Sequence, residues 1–265
     1  MEIFGYFMAL FIGISLGLFG GGGSILAVPV LAYLFLLDEK VATAYSLFII
    51  GFGALVGGLK QNRNNNVDWT TAIVFGIPSL IGVWIVRNYV IPVLPDELFS
   101  IVGFSISRRM GMFGVFIVLM VAAAYSMLRD NKRKGGSGDV NYNYPLILIE
   151  GLFVGSITGL VGAGGGFLII PALVVLTNLD IKKAIGTSLV IIALKSIVGF
   201  FLGDALIMSI DWSFLVVFTS ITIVGIFTGI YIGKFIDGNR LKKGFAYFIL
   251  IMAIFMFIME FIIKN

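Results

Sequence analysis

The sequence predicts an all-α polytopic membrane protein. It reads as two inverted-topology repeats of about five helical segments each, with Gly-rich broken or re-entrant helices near mid-membrane. Three observations carry this expectation. First, the 265 residues are 59% hydrophobic and 12% charged, with a mean hydropathy of +1.09, whereas a soluble domain is nearer half apolar and a quarter charged. Second, several apolar runs reach about 18 residues, enough to cross a hydrocarbon core of about 30 Å. Third, a glycine run occurs twice inside apolar sequence, from Gly17 to Ser24 and from Gly159 to Gly166, and each is followed by a proline at the same distance, Pro29 and Pro171.

Segment 1 is expected from about Ile3 to Phe19, a first membrane segment with no basic region ahead of it. Segment 2 covers Ser24–Leu37 and ends at the polar step Asp38-Glu39-Lys40. Segment 3 is Ala42–Leu59, followed by the asparagine-rich loop Lys60–Asp68. Segment 4 is Trp69–Val86. The mixed stretch Arg87–Arg109, with Pro92 and Pro95, is read as containing an interfacial helix, and segment 5 is Met110–Leu128. Arg129–Tyr144, with Lys132-Arg133-Lys134 and a Gly/Ser run, is the one clear linker. Segments 6 to 10 follow at Pro145–Val161, Phe167–Leu176, Ala184–Leu202, Trp212–Tyr231 and Gly244–Ile263. The organisation expected is a membrane repeat over residues 1–128, a cytoplasmic linker over 129–144 and a second repeat over 145–265.

The repeat rests on register. A shift of 142 places carries Gly13 onto Gly155, Gly17 onto Gly159, Pro29 onto Pro171, Asp38 onto Asp180, Lys40 onto Lys182 and Ser46 onto Ser188. Asp68-Trp69 meets Asp211-Trp212 after one extra residue. Charge gives the orientation, because Lys and Arg accumulate in cytoplasmic loops. With the linker inside and an odd number of crossings per half, the inside loops hold twelve basic residues and the outside ones five. Matching loops then lie on opposite faces. Arg108-Arg109, left outside, fits this scheme least well. Segments 2 and 7 are too short to cross, which favours hairpins over full spans.

The chain has no cysteine and no histidine. That removes thiol chemistry, disulfides and the commonest metal ligand and general base, so no metal or cofactor is expected and the chain reads as no enzyme. A Ser196–Lys195 dyad fails because adjacent helical residues point about 100° apart. The net charge of +4 suits cytoplasmic loops in a lipid bilayer, not nucleic acid.

An unwound stretch survives in a membrane only when buried in protein or lining a wet cavity. Segments 2 and 7 each start just after a glycine run, and so aim free N–H groups and a positive dipole end at the break, an arrangement that suits an anion. Broken helices at equivalent points of two repeats point to a transporter site, so Gly22, Gly23 and Ser24 are expected to meet Gly164, Gly165 and Gly166 near mid-membrane, with an anion bound between the paired helix N-termini by alternating access. The candidate binding residues are Gly22, Gly23 and Ser24, the last also expected to cap its helix, with Gly164, Gly165 and Gly166. Ser46 and Ser188 join them as hydroxyl donors, unless each bonds its own backbone. Lys195, deep in segment 8, is either a substrate counter-charge or the ion-pair partner of Glu150. Glu150 is the candidate coupling group for protons.

At these residues the chain resembles the TauE/SafE sulfite exporter family of sulfur-compound permeases. The resemblance rests on Gly-Leu-x-Gly-x-Gly-Gly-x-x-x-x-x-Pro at Gly17–Pro29 and Gly159–Pro171. It rests also on Asp38/Ala42/Ser46 and Asp180/Ala184/Ser188, and on Leu241-Lys242-Lys243 before the last helix. It spans both halves and implies transport, mainly export, of a small sulfur-containing anion such as sulfite or an organosulfonate, without a cofactor and in a prokaryotic inner membrane. An anion channel and an uptake permease for a different small anion stay open as alternatives, and so does assembly as a homodimer.

Overall fold

The computed structural model describes residues 2–90, 93, 95, 97–101, 104–129, 144–161, 166–177, 179–206 and 208–263. Ten α-helices follow in order: α1 (Glu2–Phe19), α2 (Gly22–Pro29, continued by a π-helical turn over Val30–Leu34), α3 (Glu39–Arg63), α4 (Trp69–Ile85), α5 (Arg108–Arg129), α6 (Tyr144–Val161), α7 (Gly166–Leu176), α8 (Ile181–Leu202), α9 (Trp212–Phe235) and α10 (Gly238–Ile258). These match the ten expected segments. The stretch before α5 differs from expectation. It holds a short antiparallel hairpin, β1 (Glu97–Ile101) with β2 (Phe104–Ser107), where an interfacial helix was expected. β1 begins two residues after Pro95, and proline disfavours helical geometry just before it and inside a helix. Residues 130–143, most of the linker, lie outside the described residues.

Among the described residues, five helices are long and apolar enough to cross a membrane, at Lys40–Arg63, Trp69–Val90, Ile181–Leu202, Trp212–Phe235 and Gly238–Ile262. Aspartates start all five. Asp38, Asp68, Asp180, Asp211 and Asp237 each accept a first-turn N–H, at 2.7–3.2 Å, satisfying a donor the helix leaves open. Large apolar side chains such as Ile73, Val118, Val216 and Ile251 are exposed around the outside, as a lipid-facing surface requires.

Glycines set the tightest seams. Gly13 of α1 lies on Thr222 of α9, and Gly17 on Ile226. In the other half Gly155 of α6 lies on Ser79 of α4, and Gly159 on Val83. The second pair of contacts is the first carried over by the sequence repeat. In both seams the helices run parallel. By contrast α3 and α8, which occupy equivalent places in the repeat, pack against each other antiparallel: Leu47 meets Gly199, Gly51 meets Ile197 and Gly58 meets Val190.

Side-chain bonds between the halves repeat in the same way. Thr187 Oγ1 accepts the N–H of Asp68 at 2.9 Å, and Tyr45 OH accepts that of Asp211 at 2.8 Å. These bonds assign the loops to faces. Loop 64–68 sits with the start of α8 and, through Gly238 against Asp180 and Ile181, with the start of α10. The start of α3 sits with loop 209–211 on the opposite face. Among the described residues, the lysines and arginines of loop 60–68 and of the starts of α8 and α10 thus share one face.

Candidate functional site

The site is built from two hairpins and one long helix. In the first hairpin, α1 leads to the break and α2 returns to the starting face, where Tyr6 and Phe35 rings meet at 5.8 Å. With its π-helical end α2 has 13 residues, about 20 Å at 1.5 Å per residue, and α7 has 11. Neither length crosses 30 Å, so both are half-helices that start inside the bundle.

At the first break Gly20 adopts φ +68°, a left-handed conformation that glycine takes without penalty. Gly21 follows as the residue ahead of α2. Its backbone abuts that of Gly166, the first residue of α7: a Cβ on Gly166 would lie 2.8 Å from Gly21 Cα, and one on Gly21 would lie 2.6 Å from Phe167 N. The starts of α2 and α7 therefore meet. Gly164 and Gly165 lie outside the described residues.

One face of α8 runs past this junction. Gly20 stands against Ser188, Gly166 stands against Ile192, and Lys195 is the next residue on that face. At 100° per residue, Ile185, Ser188, Ile192 and Lys195 fall within an arc of about 80°. Ile192 is also the midpoint of α8, whose 22 residues run from Ile181 to Leu202, so Gly21 and Gly166 meet beside mid-helix.

The predicted residues are used as follows. Gly22, Gly23 and Ser24 form the first turn of α2, all buried. Gly22 packs on Phe19 and Phe248, and Gly23 on Ile12 and Leu16 of α1, so these glycines also close their own hairpin. Ser24 does not cap α2. It lies three residues inside the helix, and its hydroxyl donates to Gly21 O at 2.7 Å. Ser46 and Ser188 donate to Thr43 O and Ile185 O at 2.7 and 2.8 Å, the local bond that short hydroxyl side chains favour in helices. Their oxygens keep lone pairs, and Ser188 Oγ borders Gly20.

Lys195 is 5% exposed, and its Nζ donates to Thr158 Oγ1 at 2.9 Å. Thr158 in turn donates to Gly155 O at 2.9 Å. This replaces the Glu150 pairing that the sequence left open. Glu150 is eight residues earlier on α6, about 12 Å along the axis, and its Oε2 has no hydrogen-bond partner among the described residues. Position 53, the repeat counterpart of Lys195, is a glycine packed beside Leu16 and Ile226. Leu16 is itself the counterpart of Thr158. One half thus carries a Lys–Thr pair where the other has apolar packing.

The face of α3 and loop 209–211 is closed by rings. Phe35 meets Phe214 at 5.0 Å and Phe218 at 5.7 Å, while Phe48 meets Phe200 at 5.1 Å and Trp212 at 5.9 Å. A cavity of about 270 Å³ opens at the other face, lined by Gln61, Asn64, Asn66, Lys182 and Lys234 and reaching Gly17 and Ile185. Sequence reasoning missed Gly21, Thr158 and this cavity. Gly21 belongs to the glycine run, but only its packing partner marks it out from its neighbours.

The sequence profile of the family described as Sulfite exporter TauE/SafE matches residues 6–256, nearly the whole chain. The chain belongs to this family. A relative from Haemophilus influenzae is 28% identical over 93% of this chain and 94% of its own length. One from Xylella fastidiosa is 28% identical over 67% of this chain, which spans 64% of that relative's length. One from Methanocaldococcus jannaschii is 36% identical over 42% of this chain and 44% of its own. All three bear the name "Probable membrane transporter protein". This TauE/SafE member is accordingly an integral, multi-pass membrane protein, with the glycine junction at the centre of its bundle.

Proposed function

We propose that the protein is a secondary transporter, exporting a small sulfur-containing anion such as sulfite or an organosulfonate across a prokaryotic inner membrane by alternating access. The observation that carries the reading is the contact of Gly21 with Gly166 at the midpoint of α8. It sets the starts of two half-helices side by side inside the bundle. The N–H groups of Gly22 and Gly23 are first-turn donors with no partner in their own helix, so this junction favours negative charge. Lys195 supplies a full charge one turn further along α8, and Ser188 borders the junction. Gly22, Gly23, Ser24, Gly164, Gly165, Gly166, Ser46, Ser188 and Lys195 are the substrate-binding set in this reading, and Glu150 is the group through which protons couple.

The antiparallel packing of α3 on α8 supports an inverted pair of repeats, 1–128 and 145–265, joined by a cytoplasmic linker over 129–144. Two halves related in this way exchange conformations when the site changes face. The ring cluster on one face and the cavity on the other fit a state open to the basic, cytoplasmic side. The family description supports the sulfur-anion substrate.

Counterflow into proteoliposomes tests the reading, with sulfite, thiosulfate, sulfoacetate, taurine and sulfolactate as candidates. A carrier exchanges label faster when unlabelled anion is present on the far side. Flux without that acceleration identifies a channel. No flux or counterflow with any of the five anions removes the substrate class.

A further inference from the structure

The cavity on the basic face lies on the outer side of the glycine junction, and its lining is chemically one-sided. Among the described lining residues, Lys182 and Lys234 carry the charges. Lys182 comes from the start of α8 and Lys234 from the end of α9, so helices from different parts of the sequence converge on one space. Its volume of about 270 Å³ far exceeds the roughly 10–15 Å³ that a single water needs.

Gln61 supplies the directional element. The residue is 8% exposed. Its Oε1 accepts from Asn66 Nδ2 at 3.0 Å and Asn64 Nδ2 at 3.5 Å. A carboxamide has one acceptor end and one donor end. With two asparagines holding the oxygen, the –NH2 group of Gln61 is left as the donor. The trio is itself anchored: Asn66 N and Asn64 N both bond Gln61 O, and Asn66 packs on Gly186 of α8. The cavity therefore offers two ammonium groups and a fixed amide donor. Its inner wall, at Gly17, Leu18 and Ile185, stands next to Gly20 and Ser188.

We infer that this cavity is a separate anion-binding port: Lys182, Lys234 and the Gln61 amide capture a small oxyanion from the basic face and hold it one step outside the glycine junction. The inference extends the transport reading by naming where the anion first binds. Two lysines in the lining raise the local concentration of anions and speed their arrival, and the effect weakens with salt. A bare oxyanion and a short organosulfonate both suit a space of this size.

The absence of native cysteine permits a direct test. A Cβ at Gly233 meets nothing closer than Leu18 Cδ1 at 3.5 Å, so Gly233→Cys places one thiol in the port without a clash. In membrane vesicles exposing the basic face, its labelling by the sulfonate reagent MTSES is compared with that by the cationic reagent MTSET, each normalised to a free thiol. The expected result is labelling faster by MTSES by about fivefold or more, slowed by inorganic sulfate. Lys182→Gln with Lys234→Gln removes both the preference and the sulfate protection, while Lys182→Arg with Lys234→Arg retains them. Equal labelling by the two reagents, or a preference indifferent to the glutamine variants, overturns the port. Labelling needs no flux, so its result is independent of counterflow. Flat labelling beside normal counterflow removes the port and leaves the carrier, and the converse leaves the port and removes the carrier.

Discussion

Gly21→Ala is the smallest perturbation of the junction. Gly21 has φ −101° and ψ −12°, which alanine adopts freely, so any effect comes from the contact and not from backbone strain. The added Cβ would stand 2.6 Å from Phe167 N and nearer still to the Gly166 carbonyl, where ordinary contact is 3.4–4 Å. The obstructing atoms are backbone and cannot rotate away, so α2 and α7 must part by about 1 Å. Overpacking of this kind costs about 1–3 kcal/mol. A misplacement of about 1 Å at a reacting or binding centre costs on the order of 10²-fold in rate. The expected outcome is counterflow per folded molecule reduced by about 10²-fold, with a modest fall in melting temperature in detergent. Gly13→Ala is the matched control, since its Cβ strikes the backbone of Thr222 and Gly225 in the α1–α9 seam. It is expected to lower the melting temperature similarly while flux per folded molecule stays within about threefold. Gly76→Ala, with nothing nearer than 3.7 Å, is expected to change neither. Wild-type flux in Gly21→Ala, or equal flux losses in the two clashing variants, would refute the argument that the junction is the site.

Lys195→Met is expected to lower flux by about 10²-fold with the fold retained, since Thr158 keeps its own acceptor at Gly155 O; parallel flux and thermal melts decide it. Glu150→Gln is expected to keep counterflow within about twofold but to remove stimulation by an imposed pH gradient, read from the same vesicles with and without the gradient. Thr187→Val and Tyr45→Phe each remove the hydroxyl that accepts an aspartate N–H, and each is expected to cost about 1 kcal/mol. The two sites lie on opposite faces, so their effects on melting are expected to add. Single cysteines at Asn62 and Ser209, both exposed, are expected to react with an impermeant maleimide from opposite sides of the membrane; reaction from the same side would break the topology.

The ten helices were legible in the chain alone, because apolar runs, the polar steps between them and glycine breaks are local features. Asp38 and Asp180 mark helix starts through a side chain that reaches only two residues onward, and that reach is readable in order along the chain. The repeat was legible because it keeps spacing as well as residue type. The shift that aligns Gly13 with Gly155 also aligns the seams they form. The breaks were legible as breaks, and the repeat implied that Gly22–Ser24 should approach Gly164–Gly166; which residues touch, Gly21 and Gly166, was not legible, since spacing along the chain does not fix a contact to one residue. For the same reason the partner of Lys195 stayed open between a carboxylate and a ligand until the fold brought Thr158 to it. Charge counts placed the basic loops together on one face without showing that Lys182 and Lys234 line a common cavity beside Gln61. Hydrophobicity and local hydrogen bonding act between chain neighbours and along one helix, so sequence reveals them. Contact between helices depends on where small side chains allow two backbones to close, and only tertiary packing decides which glycines do so.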